Sequence, residues 1–281
     1  MSAEEQSLAI ERRLGDWMRA RLSPRTVTFV MFVLKQGWAC LFGGLMLLAL
    51  ILSKMFWQED WPVARYDALL AFALVTQAAF LWFRLETLDE ARVILAFHIT
   101  GTAMEVFKVS AGSWSYPEEA LFKLLGVPLF SGFMYASVGS FMARVIRLFS
   151  MRFSPYPPIW ATFALALAIY VNFFAHHFLP DARWLLIVAT VILFWRTRIW
   201  FRIEANDYWM PLPLAALFSA CALWIAENVG TLTRTWVYAG QAPWETVSFA
   251  KLGSWYLLLY VSFVTVTLVM RGALATRRNN G

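Results

Sequence analysis

The sequence predicts an all-α protein, a polytopic membrane bundle of eight transmembrane helices with both termini on the cytoplasmic side. Three observations predict it. The chain is 60% hydrophobic and only 15% charged, where soluble domains carry about 25% charged residues. Apolar stretches with few or no charges recur along it, near the roughly 20 residues a helix needs to cross a bilayer. Its basic residues also alternate in density between those stretches. Segments on one side hold sixteen Lys and Arg and those on the other hold seven, with Lys35 at a helix mouth. The richer side is cytoplasmic by the positive-inside rule, which gives the layout of a multi-pass bacterial inner-membrane protein. The net charge of +6 is therefore topological and calls for no nucleic-acid partner.

Residues 1–25 place Leu8, Leu14, Trp17, Met18 and Leu22 at helical spacing among Arg and Glu. They read as an amphipathic helix on the cytoplasmic surface, closed by Ser23-Pro24. Residues 26–272 form the transmembrane domain, and 273–281 a basic cytoplasmic tail. The first span, Gln36 to Ser53, has Gly37, Gly43 and Gly44 for close packing. The second runs from Ala68 to Phe83. The loop after it mixes Arg84, Glu86, Asp89, Glu90 and Arg92 and reads as solvated and self-compensating.

The third span, Val93 to Val109, differs from the others. His98, Gly101, Thr102, Glu105 and Lys108 recur every three or four residues and share one face. A charge at the bilayer centre costs roughly 2.5–3.5 kcal/mol on insertion scales, so such a face turns inward or lines a wet cavity. Glu105 and Lys108, one turn apart, read as an ion pair with His98 deeper. Trp114 and Tyr116 lie in the following outer loop. The fourth span, Leu124 to Ala143, puts Pro128 in its first turn and a thin face on Gly132, Ala136 and Ser140. A stiff turn, Ser154 to Pro158, precedes the fifth span, Ile159 to Ala175, which ends at Asn172, His176, His177 and Asp181. In the sixth, Trp184 to Phe201, Arg196 and Arg198 snorkel. The seventh, Tyr208 to Ala226, leads to Glu227 and Asn228, followed by Trp236 and Tyr238. The eighth is Leu252 to Met270. Cys40 and Cys221 sit apart in apolar spans, with neither disulfide nor metal spacing.

The odd-numbered spans all end on the outer side, which gathers the chemistry there. Glu105 and Glu227 are candidate acid/base groups, and His176 and His177 candidate bases or metal ligands. His98, Lys108, Trp114, Tyr116, Asn172, Asn228, Trp236 and Tyr238 are candidate substrate contacts. His176, His177 and Asp181 together are donors suited to a divalent metal, although adjacent histidines on a helix point about 100° apart. Trp follows each Glu by nine residues and Tyr by eleven. Phe122 to Gly126 is echoed by Phe249 to Gly253. A diverged, parallel duplication of helices 3–4 and 7–8 fits both echoes.

Three functions compete. One is a membrane enzyme using carboxylates on a lipid or isoprenoid-like substrate; three histidines are too few for a di-iron desaturase. Another is a carrier or ion-coupled transporter with His98, Glu105 and Lys108 along its path. The last is a structural or assembly protein anchored by its tryptophan loops.

Met104-Glu-Val-Phe-Lys-Val109, Gly112-Ser-Trp-Ser-Tyr-Pro-Glu118, Gly126 to Ser137, Asn172 to Phe178, Trp224-Ile-Ala-Glu-Asn228 and Trp236-x-Tyr238 resemble the YoaT-like family. These are bacterial multi-spanning membrane proteins with a domain of unknown function. The resemblance covers most of residues 30–270 and implies no activity. An intramembrane Glu, then Gly-x-Trp/Phe-x-Tyr, then Gly-x-Pro at the next helix is also similar to the layout of membrane carotenoid hydratases and heterodimeric-type lycopene cyclases. That likeness implies that Glu105 or Glu227 protonates a polyene, with the Trp and Tyr rings facing a carbocation. Where the cyclases carry paired carboxylates after the Pro, this chain has Leu129-Phe130.

Overall fold

Ser23 starts the first long helix. The computed structural model describes residues 12–58, 60–242, 244–269 and 274. The beginning of the expected surface helix and the 273–281 tail, Leu274 apart, lie outside them. Helix α1 covers residues 12–19. The Ser23 hydroxyl then accepts from the Thr26 N–H, capping α2 (Pro24–Ala39) with Pro24 at its first position, where the missing N–H is one the helix leaves unpaired anyway.

The first apolar window is not one helix. The chain breaks at Cys40, and α3 (Leu41–Phe56) leaves at 66° to α2. Gly37, Gly43 and Gly44 flank the break, and each costs a helix about 1 kcal/mol relative to Ala. A continuous helix is thus weakest where the bend falls. α4 (Arg65–Trp82) follows.

Thr87 and Glu90 form a reciprocal capping box that starts α5 (Leu88–Ser110). The loop before it is not the solvated loop expected. Glu86 accepts from Arg144 at 2.5 Å and Ser140 at 2.9 Å, with neither charged side chain exposed, and Gln77 donates to its other oxygen. Arg147 pairs with Glu90 at 2.8 Å. Two acids here meet arginines of the next helix, because burying either charge alone would cost several kcal/mol. Asp89 and Arg92 do form an exposed pair.

That next helix, α6 (Phe130–Leu148), lies tight against α5. A Cβ on Gly132 would meet Thr102 and His98 of α5, so the thin face was legible. Its start was not. Lys123–Leu124 (β2, after β1 at Trp114–Ser115) pairs with Val127–Pro128 (β3) in a hairpin turned at Leu125 and Gly126, both at positive φ. Pro128 is therefore a strand residue.

After β4 (Arg152–Ser154) come α7 (Ile159–Ala175) and α8 (Arg183–Phe194). The sixth span is corrected here. α8 has 12 residues, about 18 Å at 1.5 Å per residue. The chain then forms β5 (Arg198–Ile203) and β6 (Asn206–Pro211), which complete a sheet in the order β4-β5-β6. Exposed Arg198 and Arg202 alternate with buried Ile199 and Ile203, a period-two pattern that fits a strand. α9 (Leu212–Leu232), β7 (Val237–Tyr238) and α10 (Phe249–Val269) finish the described chain.

The described residues are thus mostly helical, and among them are three small antiparallel sheets that an all-α description omits. α5, α9 and α10 are each long and apolar enough to cross a membrane, and α2 with α3 makes a fourth crossing if the bent pair counts as one.

Candidate functional site

Each Glu is clamped by the loop that follows it. After α5 the chain turns at Gly112 (φ 69°) and sends Trp114 and Tyr116 back toward the helix. Trp114 Nε1 and Tyr116 Oη donate to Glu105 Oε2 at 2.7 and 2.8 Å, and Tyr135 Oη of α6 donates to Oε1 at 2.6 Å. After α9 the chain turns at Arg234 (φ 53°). Trp236 Nε1 and Tyr238 Oη then donate to Glu227 Oε1 at 2.9 and 2.5 Å. Burial, then the neighbouring carboxylate, pushes the Tyr116 and Tyr238 hydroxyls well above the ordinary tyrosine range. Both remain protonated donors at physiological pH.

The two clamps brace each other. β1 and β7 pair antiparallel, Trp114 opposite Tyr238 and Ser115 opposite Val237. The Trp114 and Tyr238 rings meet edge to face at 5.6 Å, a favoured aromatic geometry. The start of α4 fixes both loops. Arg65 pairs with Glu118 at 2.8 Å, and Asp67 accepts from the Leu121 and Phe122 N–H groups. Tyr66 donates to the Thr235 carbonyl at 2.7 Å.

Glu105 and Glu227, both buried, line one cavity of about 150 Å³ among α5, α6, α7, α9 and α10. Of the residues expected at the site, Lys108, Trp114, Tyr116, Asn172, His176, Trp236 and Tyr238 line it too. His177 stands at its edge, where its Nε2 lies 2.9 Å from Lys108 Nζ. The expected Glu105–Lys108 ion pair is not formed. Lys108 turns instead to His177 and to the Phe173 ring, 4.1 Å from its centroid.

His98 and Asn228 do not line the cavity. The His98 ring packs on Phe133 at 4.4 Å. Asn228 ties the loop after α9 to its helix, accepting from the Val247 N–H and donating to the Trp224 carbonyl. The His176, His177 and Asp181 metal set is not assembled. Asp181 accepts from Asn172 and from the Arg183 N–H and pairs with the Arg183 guanidinium. Among the described residues no three His, Cys, Asp or Glu gather to hold a metal ion. The tryptophans and tyrosines, expected to offer ring faces, commit their polar edges to the carboxylates.

Reasoning from the sequence missed Tyr135, Ser131, Lys251 and Trp255, all of which line the cavity. Tyr135 lies on the helix read only as packing. A Cβ on Gly101 would fall 2.6 Å from Tyr135, so that glycine leaves the ring room to reach Glu105. Lys251 belongs to the second echo, and its ammonium sits 3.9 Å from the Tyr238 ring centroid and 5.4 Å from that of Trp114. The arrangement fixes two carboxylates by neutral donors, with an imidazole and two ammonium groups at hand. It can accept, give or exchange protons with a small polar group.

Residues 28–263 match the family model described as "Protein of unknown function (DUF817)". The chain is 41% identical over 238 residues to "Uncharacterized protein YoaT" of Bacillus subtilis (strain 168), covering 84% of this chain and 89% of that protein. No solved structure matches. The YoaT-like resemblance is borne out. Neither match carries the likeness to carotenoid hydratases and lycopene cyclases.

Proposed function

Since this chain belongs to the DUF817 family, whose description assigns no activity, we propose its function from the chamber itself. It is an enzyme of the bacterial cytoplasmic membrane that uses Glu105 and Glu227 as an acid/base pair on a lipid or isoprenoid-like substrate. One observation carries this: two buried carboxylates, each held by a Trp and a Tyr from its own loop, face one cavity. Desolvating a carboxylate costs several kcal/mol, and apolar side chains of similar volume would hold a purely structural core without that cost. Fixed acids beside a cavity gain a use when its occupant takes or gives a proton.

The membrane setting draws support from the three long apolar helices and from exposed Val75, Ile192, Phe218 and Ile225 on helix surfaces, a surface suited to lipid rather than water. In the proposed layout α2 with α3 crosses once and α4 to α10 once each, with residues 1–25 and 273–281 cytoplasmic. A parallel duplication draws support from the β1–β7 register. A dyad along the membrane normal leaves paired helices parallel and makes paired loop strands antiparallel. The second echo carries no such support, since Phe122 lies just before the β2–β3 hairpin that holds Lys123 and Phe249 opens a helix.

Comparative lipid and isoprenoid mass spectrometry of wild-type, deletion, Glu105→Gln and Glu227→Gln strains tests the proposal. Both substitutions should reproduce the deletion profile while protein levels hold. If deletion leaves the profile unchanged but Glu105→Gln abolishes solute uptake into vesicles, the carrier replaces the enzyme. If both Gln variants behave as wild type, the clamps are structural.

A further inference from the structure

The chamber at the glutamates has an apolar extension. A second hollow of about 240 Å³ lies alongside it, and the two share Tyr135, Val138, Leu223, Trp255 and Leu258 in their walls. Two hydroxyls of this second hollow are spent within their own helices. The Thr100 hydroxyl donates to the Ala96 carbonyl and that of Thr265 to the Val261 carbonyl. Beside these and the Tyr170, Trp255 and Ser262 side chains the wall is largely hydrocarbon, with Ala96, Phe97, Met104 and Leu259 in it.

The polar end is cationic and incompletely paired. Lys108 meets an imidazole and a ring face, and Lys251 meets ring faces, with Glu227 and then Glu105 near enough to attract its charge but in no ion pair with it among the described residues. Arg183, by contrast, is committed to Asp181 and the Ala250 carbonyl. The Ser131 hydroxyl in the same wall is 1% exposed and lies near the Tyr116 hydroxyl without a full hydrogen bond to it.

We propose that the occupant is a single-chain anionic amphiphile. Its acid or phosphate headgroup lies among Lys108, Lys251 and Ser131, and its chain fills the apolar hollow between α5 and α10. The glutamates face the headgroup and the first chain carbons, where proton transfer would act. This names the substrate class of the acid/base reading and rests on it in taking the chamber as the substrate's site.

The test is equilibrium binding of radiolabelled dodecyl phosphate to the full chain in phosphatidylcholine nanodiscs, with empty nanodiscs subtracted. Saturable binding is expected, weakened about tenfold or more (the effect of losing about 1.4 kcal/mol) by Lys108→Gln with Lys251→Gln. Ala96→Phe or Ser262→Phe, either of which fills the apolar hollow, should weaken it comparably. Inorganic phosphate and dodecanol should compete poorly. If inorganic phosphate competes as well as dodecyl phosphate and both Phe variants bind normally, the tail site is refuted. Dodecanol competing equally, with no effect of the lysine substitutions, removes the anionic headgroup. Glu105→Gln that binds dodecyl phosphate but leaves the cellular lipid profile unchanged sinks the acid/base reading and not this one.

Discussion

Gly230 follows Glu227 by three residues, and a Cβ on it would fall 1.9 Å from Cη2 of Trp236. The indole reaches Glu227 only because that position is bare. Gly230→Ala must therefore push Trp236 aside and strip one donor from a buried carboxylate. Overpacking costs about 1–3 kcal/mol, and a buried acceptor left short of its donor about 1–3 kcal/mol more. Gly44, with nothing within 4 Å of its added Cβ, is the control. Gly44→Ala should be neutral or stabilising by up to about 1 kcal/mol. Thermal unfolding of the purified variants checks both, and equal melting temperatures would refute the clamp as an energetic unit. At this scale the sequence showed the spacing of Glu, Trp and Tyr but not the direction of their side chains. A Trp nine residues after a helix-terminal Glu serves equally as a membrane anchor or as a donor folded back onto it. Only the loop's return path decides, and the turns that set it rest partly on residues such as Arg234, whose positive φ no composition rule singles out.

Among the elements, the legible ones were helices with a long period of their own. α5 was read from its polar face and α10 from its apolar length, and both stand. The elements missed are those whose identity depends on a partner far along the chain. Residues 198–203 look like the end of an apolar helix until β4 and β6 supply hydrogen bonds on both sides, and β1 exists only through β7, more than a hundred residues away. The bend at Cys40 was hidden for another reason: a window that averages hydrophobicity sees composition and not continuity. The β1–β7 pairing can be tested directly. Residues directly opposite in an antiparallel pair have Cα atoms about 4.5–5.5 Å apart, within the span a disulfide accepts. Ser115→Cys with Val237→Cys, in a background of Cys40→Ser and Cys221→Ser, should lose both free thiols under mild oxidation, as counted by alkylation and mass spectrometry. Two thiols that stay free would mean the clamps do not meet.

At the scale of the whole molecule, the two ends of the bundle carry different chemistry. One holds the clamped glutamates, Lys108 and Lys251. The other holds the Glu86–Arg144 and Glu90–Arg147 pairs and the β4–β6 sheet. Ion pairs of α6 with Glu86, in the loop before α5, and with Glu90 of α5 consume Arg144 and Arg147, two of the arginines on the basic side. Even without them that side keeps the larger share of cations, so the proposed orientation survives the correction. It places Asp60 and Glu245 outside the cell and Arg84 and Asn206 inside. All four are exposed in the fold, so each accepts a cysteine without disturbing packing. With Cys40 and Cys221 replaced by Ser, a membrane-impermeant maleimide should label Asp60→Cys and Glu245→Cys in intact cells. Arg84→Cys and Asn206→Cys should react only after permeabilisation. A reversed pattern would invert the molecule and turn the chamber toward the cytoplasm, where its substrate would have to be made rather than captured. Asp60 and Asn206 reacting from the same side would instead break the eight-crossing count, and the short α8 with its hairpin is the first place to look for the missing crossing.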